Sequence, residues 1–361
     1  MKILLYLTSI ITGISLLIAL VNTFTMRTLN SDSTEISEHV SLLVPMRNEE
    51  KNAVPFVQAL LASKNLLNRR ITILNDHSED STLSQLQTYS DQIEIMNGLK
   101  LPAGWMGKPY ACYQLGQNSD AQYLVFLDAD VRPSPLAISS AIALMEKLGW
   151  DFLSPYPAQR AQTWLMKVIQ PLLQWSWLSS VPLRIAESGR FASMIIANGQ
   201  FFIVKRSAYN SVGGHESVKA EVLEDLCLAR TLSGAGFKGG VADGSHLVEC
   251  TMYEKNSDLI AGYTKSLWKA FGGLFGTICA VILLAITQLA PIVLLSAGYY
   301  WAALPFVSAG VTHLLASVKT RSAPINTLAH PLAALILIAL ICESYRRKSL
   351  GRLEWRGRTV L

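Results

Sequence analysis

The chain is short of charge. Only 16% of its 361 residues are Asp, Glu, Lys or Arg, against roughly 25% in soluble domains. The deficit is local: residues 3–21, 271–318 and 322–342 contain none of the four. The first run, ILLYLTSIITGISLLIALV, matches the ~20 residues needed to cross a bilayer. It lacks a following A-x-A-like cleavage site and is long for a signal-peptide core, so an uncleaved anchor over residues 1–24 is expected. Cysteine is also sparse. Cys112, Cys227, Cys250, Cys279 and Cys342 form an odd set without close spacing. That pattern excludes a disulfide framework or a zinc ribbon and fits a reduced, cytoplasmic domain. No internal repeat or low-complexity tract is present.

What remains is a water-facing stretch of ordinary composition over residues 40–270, then an apolar region over 271–342 and a tail over 343–361. The apolar region is expected to cross the membrane two or three times. Ala329-His330-Pro331 interrupts its last part and raises a re-entrant or interfacial alternative. The tail, ESYRRKSLGRLEWRGRTVL, holds six basic residues against two acidic, and basic segments beside spans stay on the cytoplasmic side. Domain and tail are therefore expected on one side of a cell inner membrane, in a multi-pass chain with a cytoplasmic catalytic domain.

Inside the water-facing stretch, short apolar runs alternate with helical patterns. SDSTEISEHV (31–40) reads as a polar linker and SLLVP as a strand ending at Pro45. KNAVPFVQALLASK carries Val54, Val57, Leu60 and Leu61 on one helical face. ITILND is a strand ending at Asp76, followed by Asp80 and Ser81 as helix caps. IEIMNG and YLVFLDAD are further strands, and residues 110–118 and 134–149 read as helices. The alternation predicts an α/β domain with a mainly parallel sheet, whose ligands gather at the carboxyl ends of strands. Pro45, Asp76 and Asp128 all fall at such ends. Residues 159–187 differ: Trp164, Trp175 and Trp177 mix with Arg160, Lys167 and Arg184, a pattern that fits either an interfacial segment or a buried core helix.

Asp128 and Asp130 sit one residue apart behind a buried strand. Two carboxylates so close call for a positive partner, and Mg2+ or Mn2+ takes such oxygen ligands while leaving positions for phosphate. A capped turn is the plain alternative. A phosphatase of the dehalogenase type, with Asp128 as nucleophile, is another; Arg132 stands where that motif carries Thr or Val. In EVLEDLCLAR, Glu224 and Asp225 open a helix, where acids are favoured in any case, and either carboxylate can accept a proton from an attacking hydroxyl. GWMGKPYAC places Lys108 just ahead of a helix, where it can meet a phosphate; a solvated loop lysine is the commoner alternative. Residues 198–216 read as a strand, a short helix and a Gly213-Gly214 turn.

In this order, the segments resemble inverting glycosyltransferases of family 2, with the GT-A (nucleotide-diphospho-sugar transferase) fold, over roughly residues 40–240. VPMRNEE resembles the family's first strand and nucleotide-lining loop, which implies donor-site roles for Pro45, Arg47 and Glu49. ILNDHSEDST resembles its D-D-x-S-x-D-x-T stretch and implies that Asp76 binds base or ribose. FLDAD resembles the D-x-D motif, which assigns Asp128 and Asp130 to the metal and the diphosphate, with Lys108 beside them. LEDLCLAR resembles the E-D motif and makes Asp225 the general base with Glu224 in support; Gly199 belongs to the acceptor-lining segment. The anchor, G-W-x-G-K, the C-terminal spans and the terminal W-R-G-R (Trp355, Arg356, Arg358) resemble the carotenoid- and hopanoid-associated branch. No Q-x-x-R-W motif is present, YTKSLWKAF occupying its region, which implies single transfer rather than polymerisation. The resemblance thus implies a nucleotide-sugar donor, in particular a UDP-hexose, a divalent cation, a lipid-type acceptor and the bilayer as partners, and no nucleic acid. A non-catalytic lipid-binding protein remains the contrasting class.

Overall fold

A computed structural model describes the chain apart from residues 32–33, 356–357 and 360–361, and apart from the side chains of residues 326 and 354–361. Two compact units emerge. One comprises residues 27–158 and 184–252, the other residues 1–26, 159–183 and 253–361.

The first unit is built on a seven-stranded sheet. Its first strands and helices are β1 (Ile36–Met46), α2 (Glu50–Leu61), β2 (Leu66–Asn75), α3 (Thr82–Gln87), β3 (Glu94–Asn97), α4 (Gly107–Gln117) and β4 (Tyr123–Leu127); α1 belongs to the second unit. After a short β5 (Val131–Pro133) come α5 (Ala137–Leu148), β6 (Phe152–Tyr156) and a two-residue β7 (Ala158–Gln159). The order across the sheet is β3-β2-β1-β4-β8-β6-β9, where β8 is Phe201–Lys205 and β9 is Gly239–Asp243. β1 pairs parallel with β2 (Leu42 opposite Ile71) and with β4 (Leu42 opposite Val125). β8 alone runs antiparallel, to β4 and to β6. The sheet is the mainly parallel one expected from the alternation.

Strand periodicity explains the layers. In β4, Tyr123, Val125 and Leu127 face one core with Phe56, Leu60, Ile138 and Ile142 of α2 and α5. Leu124 and Phe126 face the other, with Leu115 of α4 and Leu228 and Leu232 of α10 (Glu224–Gly234). Alternation of side chains across a strand places both sets in apolar surroundings. The linker expected over residues 31–40 is shorter than read: Ile36 and Val40 are buried and β1 already pairs with β2 at Ile36. The three polar residues between them misled the reading because they lie at a β-bulge, where the pairing register with β2 shifts between Ile36 and His39.

The second unit is helical. It contains α1 (Lys2–Thr25), α6 (Trp164–Ile169), α7 (Pro171–Leu178), α11 (Asn256–Ala270), α12 (Leu274–Leu284), α13 (Ala290–Ser296), α14 (Ala303–Lys319) and α15 (His330–Ser349); the short α8 (Leu183–Ala186) and α9 (Arg206–Ser211) complete the order. Four segments are long and apolar enough to cross a membrane: Lys2–Thr25, Leu274–Ser296, Tyr300–Lys319 and Thr327–Ser349. Residues 159–183 join this unit. Trp175 and Trp177 of α7 are buried, and Trp164 at the start of α6 is exposed. Asn22 fixes this segment to α1: its Nδ2 donates to the carbonyls of Leu178 (2.8 Å) and Val181 (2.7 Å), and its Oδ1 accepts from the Leu183 amide (3.1 Å).

The end of α15 returns to α11 and the start of α12. His330 at its start meets Gln288, while Ser344 and Tyr345 near its end bond the Trp268 backbone and Tyr345 also meets Thr277 (2.9 Å). The chain thus enters the apolar bundle and leaves it at the same end. Around that end stand Lys269 and Lys348, whose ammonium groups lie 5.8 and 3.7 Å from the Trp268 ring centre. Trp355 and Arg358 lie in a two-stranded turn whose side chains fall outside the described residues, as does Arg356 altogether.

Candidate active site

The carboxyl end of β4 delivers the first acid. Asp128 follows Leu127 directly, and its amide donates to the Gln200 carbonyl (3.1 Å), which ties the turn to the neighbouring β8. The α10 amino end delivers the next two, Glu224 and Asp225. Lys108 rises from the first turn of α4 and joins them. Its Nζ lies 2.7 and 2.9 Å from the two oxygens of Asp128 and 3.2 Å from Glu224 Oε1. Asp128, Glu224, Asp225 and Lys108 line one pocket together with Pro45, Gly199 and His215. Residues separated by up to 180 positions meet here: Pro45 and Asp128 at strand carboxyl ends, Lys108, Glu224 and Asp225 in first helical turns, and Gly199 just ahead of β8.

Asp225 is held by the backbone. Its Oδ2 accepts from the Gly199 amide and its Oδ1 from the Leu226 amide (2.8 Å). Gly199 is glycine for want of room: a Cβ there would sit 3.0 Å from Asp225 Oδ2 and 3.1 Å from Lys108 Nζ. Burial, reinforced by the neighbouring Glu224 charge, raises the Asp225 carboxyl to about 6, although Lys108 and both amides pull the other way. Lys108 shows the reverse balance. Enclosure alone lowers an ammonium, yet Asp128 and Glu224 outweigh it and hold Lys108 well above its ordinary value. A carboxyl raised in this way can exchange a proton near neutral pH.

The second acid of the pair, Asp130, is fixed through its backbone, whose carbonyl accepts from the Thr251 amide (3.1 Å). Arg132 clamps the same turn. Its Nη1 donates to the carbonyls of Ala129 (2.7 Å) and Val131 (2.8 Å), and its Nη2 to Asn52 Oδ1 (2.7 Å). Asn52 in turn donates to Glu49 Oε2 (2.9 Å). Glu49 is therefore bound into a structural chain that reaches the acid turn. Arg47 and Asp76 meet on the adjoining loops: Arg47 Nη1 donates to the backbone carbonyls of Asp76 and His77, each 2.9 Å away. Arg47, Glu49 and Asp76 lie at neighbouring strand ends and are not among the residues lining the pocket around Lys108.

Among the described residues, no three or more His, Cys, Asp and Glu side chains cluster so as to hold a metal. The donor set of Asp128 and Asp130 is all-carboxylate, which suits a hard divalent cation that fills its remaining positions with water and phosphate oxygens. Lys108 Nζ between two carboxylates marks the place as one built for positive charge. The residues fit such a cation in partnership with a diphosphate.

His215 was read from sequence only as part of a glycine turn. It is buried against Phe126 (4.7 Å between ring centres), and Tyr209 Oη lies 2.9 Å from its Nδ1. Burial, helped by Lys108, lowers it to about 3, so it is neutral beside the acids. The adjoining glycines were its only signal.

The family model described as glycosyl transferase family 2 matches residues 41–213. Over that stretch the chain is similar to this family. It is similar to the 4,4'-diaponeurosporenoate glycosyltransferase of Staphylococcus haemolyticus (strain JCSC1435), 22% identical over 64% of this chain and 62% of that protein. The enzyme of the same name from Staphylococcus aureus (strain MRSA252) is 24% identical over 68% of this chain and 65% of that protein. The chain thus spans rather less than two thirds of the length of these relatives. Among solved structures, a mannosyltransferase of Pyrobaculum calidifontis, in complex with GDP-Man and Mn2+, superposes with a TM-score of 0.57 at 13% identity, covering 96% of this chain and 98% of that one. The chain therefore has the GT-A-like α/β fold.

Proposed function

We propose that the protein transfers a single sugar from a nucleotide-sugar donor, a UDP-hexose, to a lipid-type acceptor at the membrane, with inversion at the anomeric carbon. The supporting observation is the meeting of Asp225, Asp128, Glu224 and Lys108 in one pocket, with Asp225 raised to about 6. An acceptor hydroxyl oxygen forms the new bond to the anomeric carbon from the face opposite the leaving group. The bond from that carbon to the diphosphate oxygen breaks, and the hydroxyl proton passes to the Asp225 carboxylate. Lys108 exchanges its hold on Asp128 and Glu224 for the departing diphosphate, the charge placement that commonly supplies most of the catalysis. Asp128 and Asp130 would hold a divalent cation, Mg2+ or Mn2+. That cation, when bound, supplies further positive charge to the diphosphate. Pro45, Arg47 and Asp76 frame the nucleotide, and Gly199 lines the acceptor side.

The curated relatives are named for a carotenoid acid, and an apolar acid of that kind is one acceptor class. Its carboxylate is ionised already and asks less of Asp225 than a hydroxyl does. The basic and aromatic residues at the mouth of the apolar bundle, Lys269, Trp268 and Lys348, support a cytoplasmic catalytic domain in the inner membrane. The experiment is to incubate membranes with labelled UDP-glucose, UDP-N-acetylglucosamine or GDP-mannose and to analyse the lipid extract. Transfer from one donor, lost in Asp130→Ala, is expected. No sugar in any lipid from any donor, with Asp130→Ala without effect, overturns the reading; phosphate release without a donor turns it toward a phosphatase that uses Asp128.

A further inference from the structure

The helical unit buries polar side chains in segments that are otherwise apolar. Between α12 and α13, Ala285–Leu289 is wound as a π-helix, a local widening that often accompanies function. It brings Gln288, 2% exposed, to His330, whose Nδ1 lies 2.8 Å from Gln288 Oε1. An amide oxygen only accepts, so Nδ1 carries the proton and Nε2 of the neutral ring is an acceptor. The His313 ring lies 5.4 Å from that of His330, and Trp175 stacks on it at 4.3 Å with planes 12° apart. The indole N–H of Trp175 is spent on Thr312 Oγ1 (2.8 Å). His313 is only 5% exposed, and its Nε2 has no hydrogen-bond partner among the described residues. Away from water an orphaned polar atom is costly, and polar side chains in membrane segments usually mark a site of function.

We propose that His313, His330 and Gln288 form a site for the hydroxyl end of an otherwise apolar, membrane-soluble molecule. A hydroxyl is both donor and acceptor, so it can donate to Nε2 of His330 and can meet the orphaned Nε2 of His313 in either tautomer. Trp175 and Phe306, the latter 5.1 Å from the His330 ring, supply aromatic walls for the adjoining hydrocarbon. A carboxylate lacks the donated proton, and an ether lacks it as well. The site stands on these contacts within the helical unit, independently of the sugar transfer proposed above.

The test uses the full chain in detergent micelles and a long-chain primary alcohol bearing a diazirine, with its methyl ether as control. The expected result is light-driven labelling within residues 285–330, at least fivefold stronger for the alcohol than for the ether. Excess unlabelled alcohol, but not the matching alkane, competes it away. His313→Phe lowers the alcohol's labelling to the level of the ether while leaving the melting temperature near that of the parent. Equal labelling by alcohol and ether, or equal competition by alcohol and alkane, overturns the proposal and leaves a buried water as the only occupant. The competition experiment needs no variant and decides the matter even where His313→Phe does not fold.

Discussion

Below pH about 6 the Asp225 carboxyl keeps its proton, because burial and then Glu224 penalise its charge. A base must be deprotonated to act, so transfer to a hydroxyl acceptor should rise as pH increases through about 6 and level off above it. Asp225→Asn should lower kcat by roughly 10²–10⁴, the usual worth of a general base, and should remove this limb of the pH profile. A carboxylate acceptor should show a much smaller loss, so one variant assayed on both acceptor types separates them. Gly199→Ala makes a second test. Its new methyl would stand 3.0 Å from Asp225 Oδ2 and 3.1 Å from Lys108 Nζ, so these must give by a few tenths of an ångström, while a misplacement of ~1 Å at a reacting centre can cost ~100-fold. The expected outcome is a kcat reduced by less than that factor with circular dichroism unchanged.

At the scale of elements, the loop after β2 governs two helix starts. Asp80 Oδ1 accepts from the Thr82 amide (3.0 Å) at the head of α3, and its Oδ2 from the Glu50 amide (3.1 Å) at the head of α2. Burial opposes the Asp80 charge, but the bonds from Thr82 and Glu50 prevail and lower its pKa. A carboxylate lowered on folding stabilises the native state at neutral pH and loses that contribution as pH falls through its folded value. Asp80→Ala should therefore cost ~1 kcal/mol, the usual worth of a cap, in chemical unfolding at pH 7, and distinctly less at pH 3.

Asp80 was legible as a cap from its place before a polar-to-periodic change. The companion residue Ser81 was not rightly read, for its side chain makes no cap bond. The strands, the helices and the acids at their ends were legible for the same reason: apolar period and turn chemistry are local. The tether from Arg132 through Asn52 to Glu49 was not, since it joins side chains 80 positions apart that no spacing connects. The reversed direction of β8 was also hidden, because a five-residue buried run reads alike in either sense.

For the whole molecule, the end of α15 returns to α11 and the start of α12, which bears on a relation that hydrophobic counting alone leaves open. Three apolar segments after the domain would put the tail on the far side if each crossed. Instead Ser344 and Tyr345 return to Trp268 and Thr277. A reporter fused after Leu361 should accordingly read the same side of the membrane as one inserted in the exposed loop around Leu99. Opposite readings would contradict this return. The sequence of residues 159–187 left interfacial and core readings equally open, since Trp and Leu serve both; its α7 packs against α1 and α14, contacts that no spacing announces.

The interleaving of the two units bears on how the chain is made. α1 emerges first, yet Thr8 Oγ1 bonds the Ile286 carbonyl 278 positions later. At ~5–20 residues per second of synthesis, the first helix waits roughly 14–56 s for that partner. In this interval the two stretches of the sheet unit, residues 27–158 and 184–252, are made with α6 and α7 between them, before the α14 that packs on α7. A membrane that receives α1 early would shelter it during the wait. A shortened chain stripped of both apolar ends would leave residues 159–183 without the helices that enclose them, so solubility is not to be gained by trimming the termini alone.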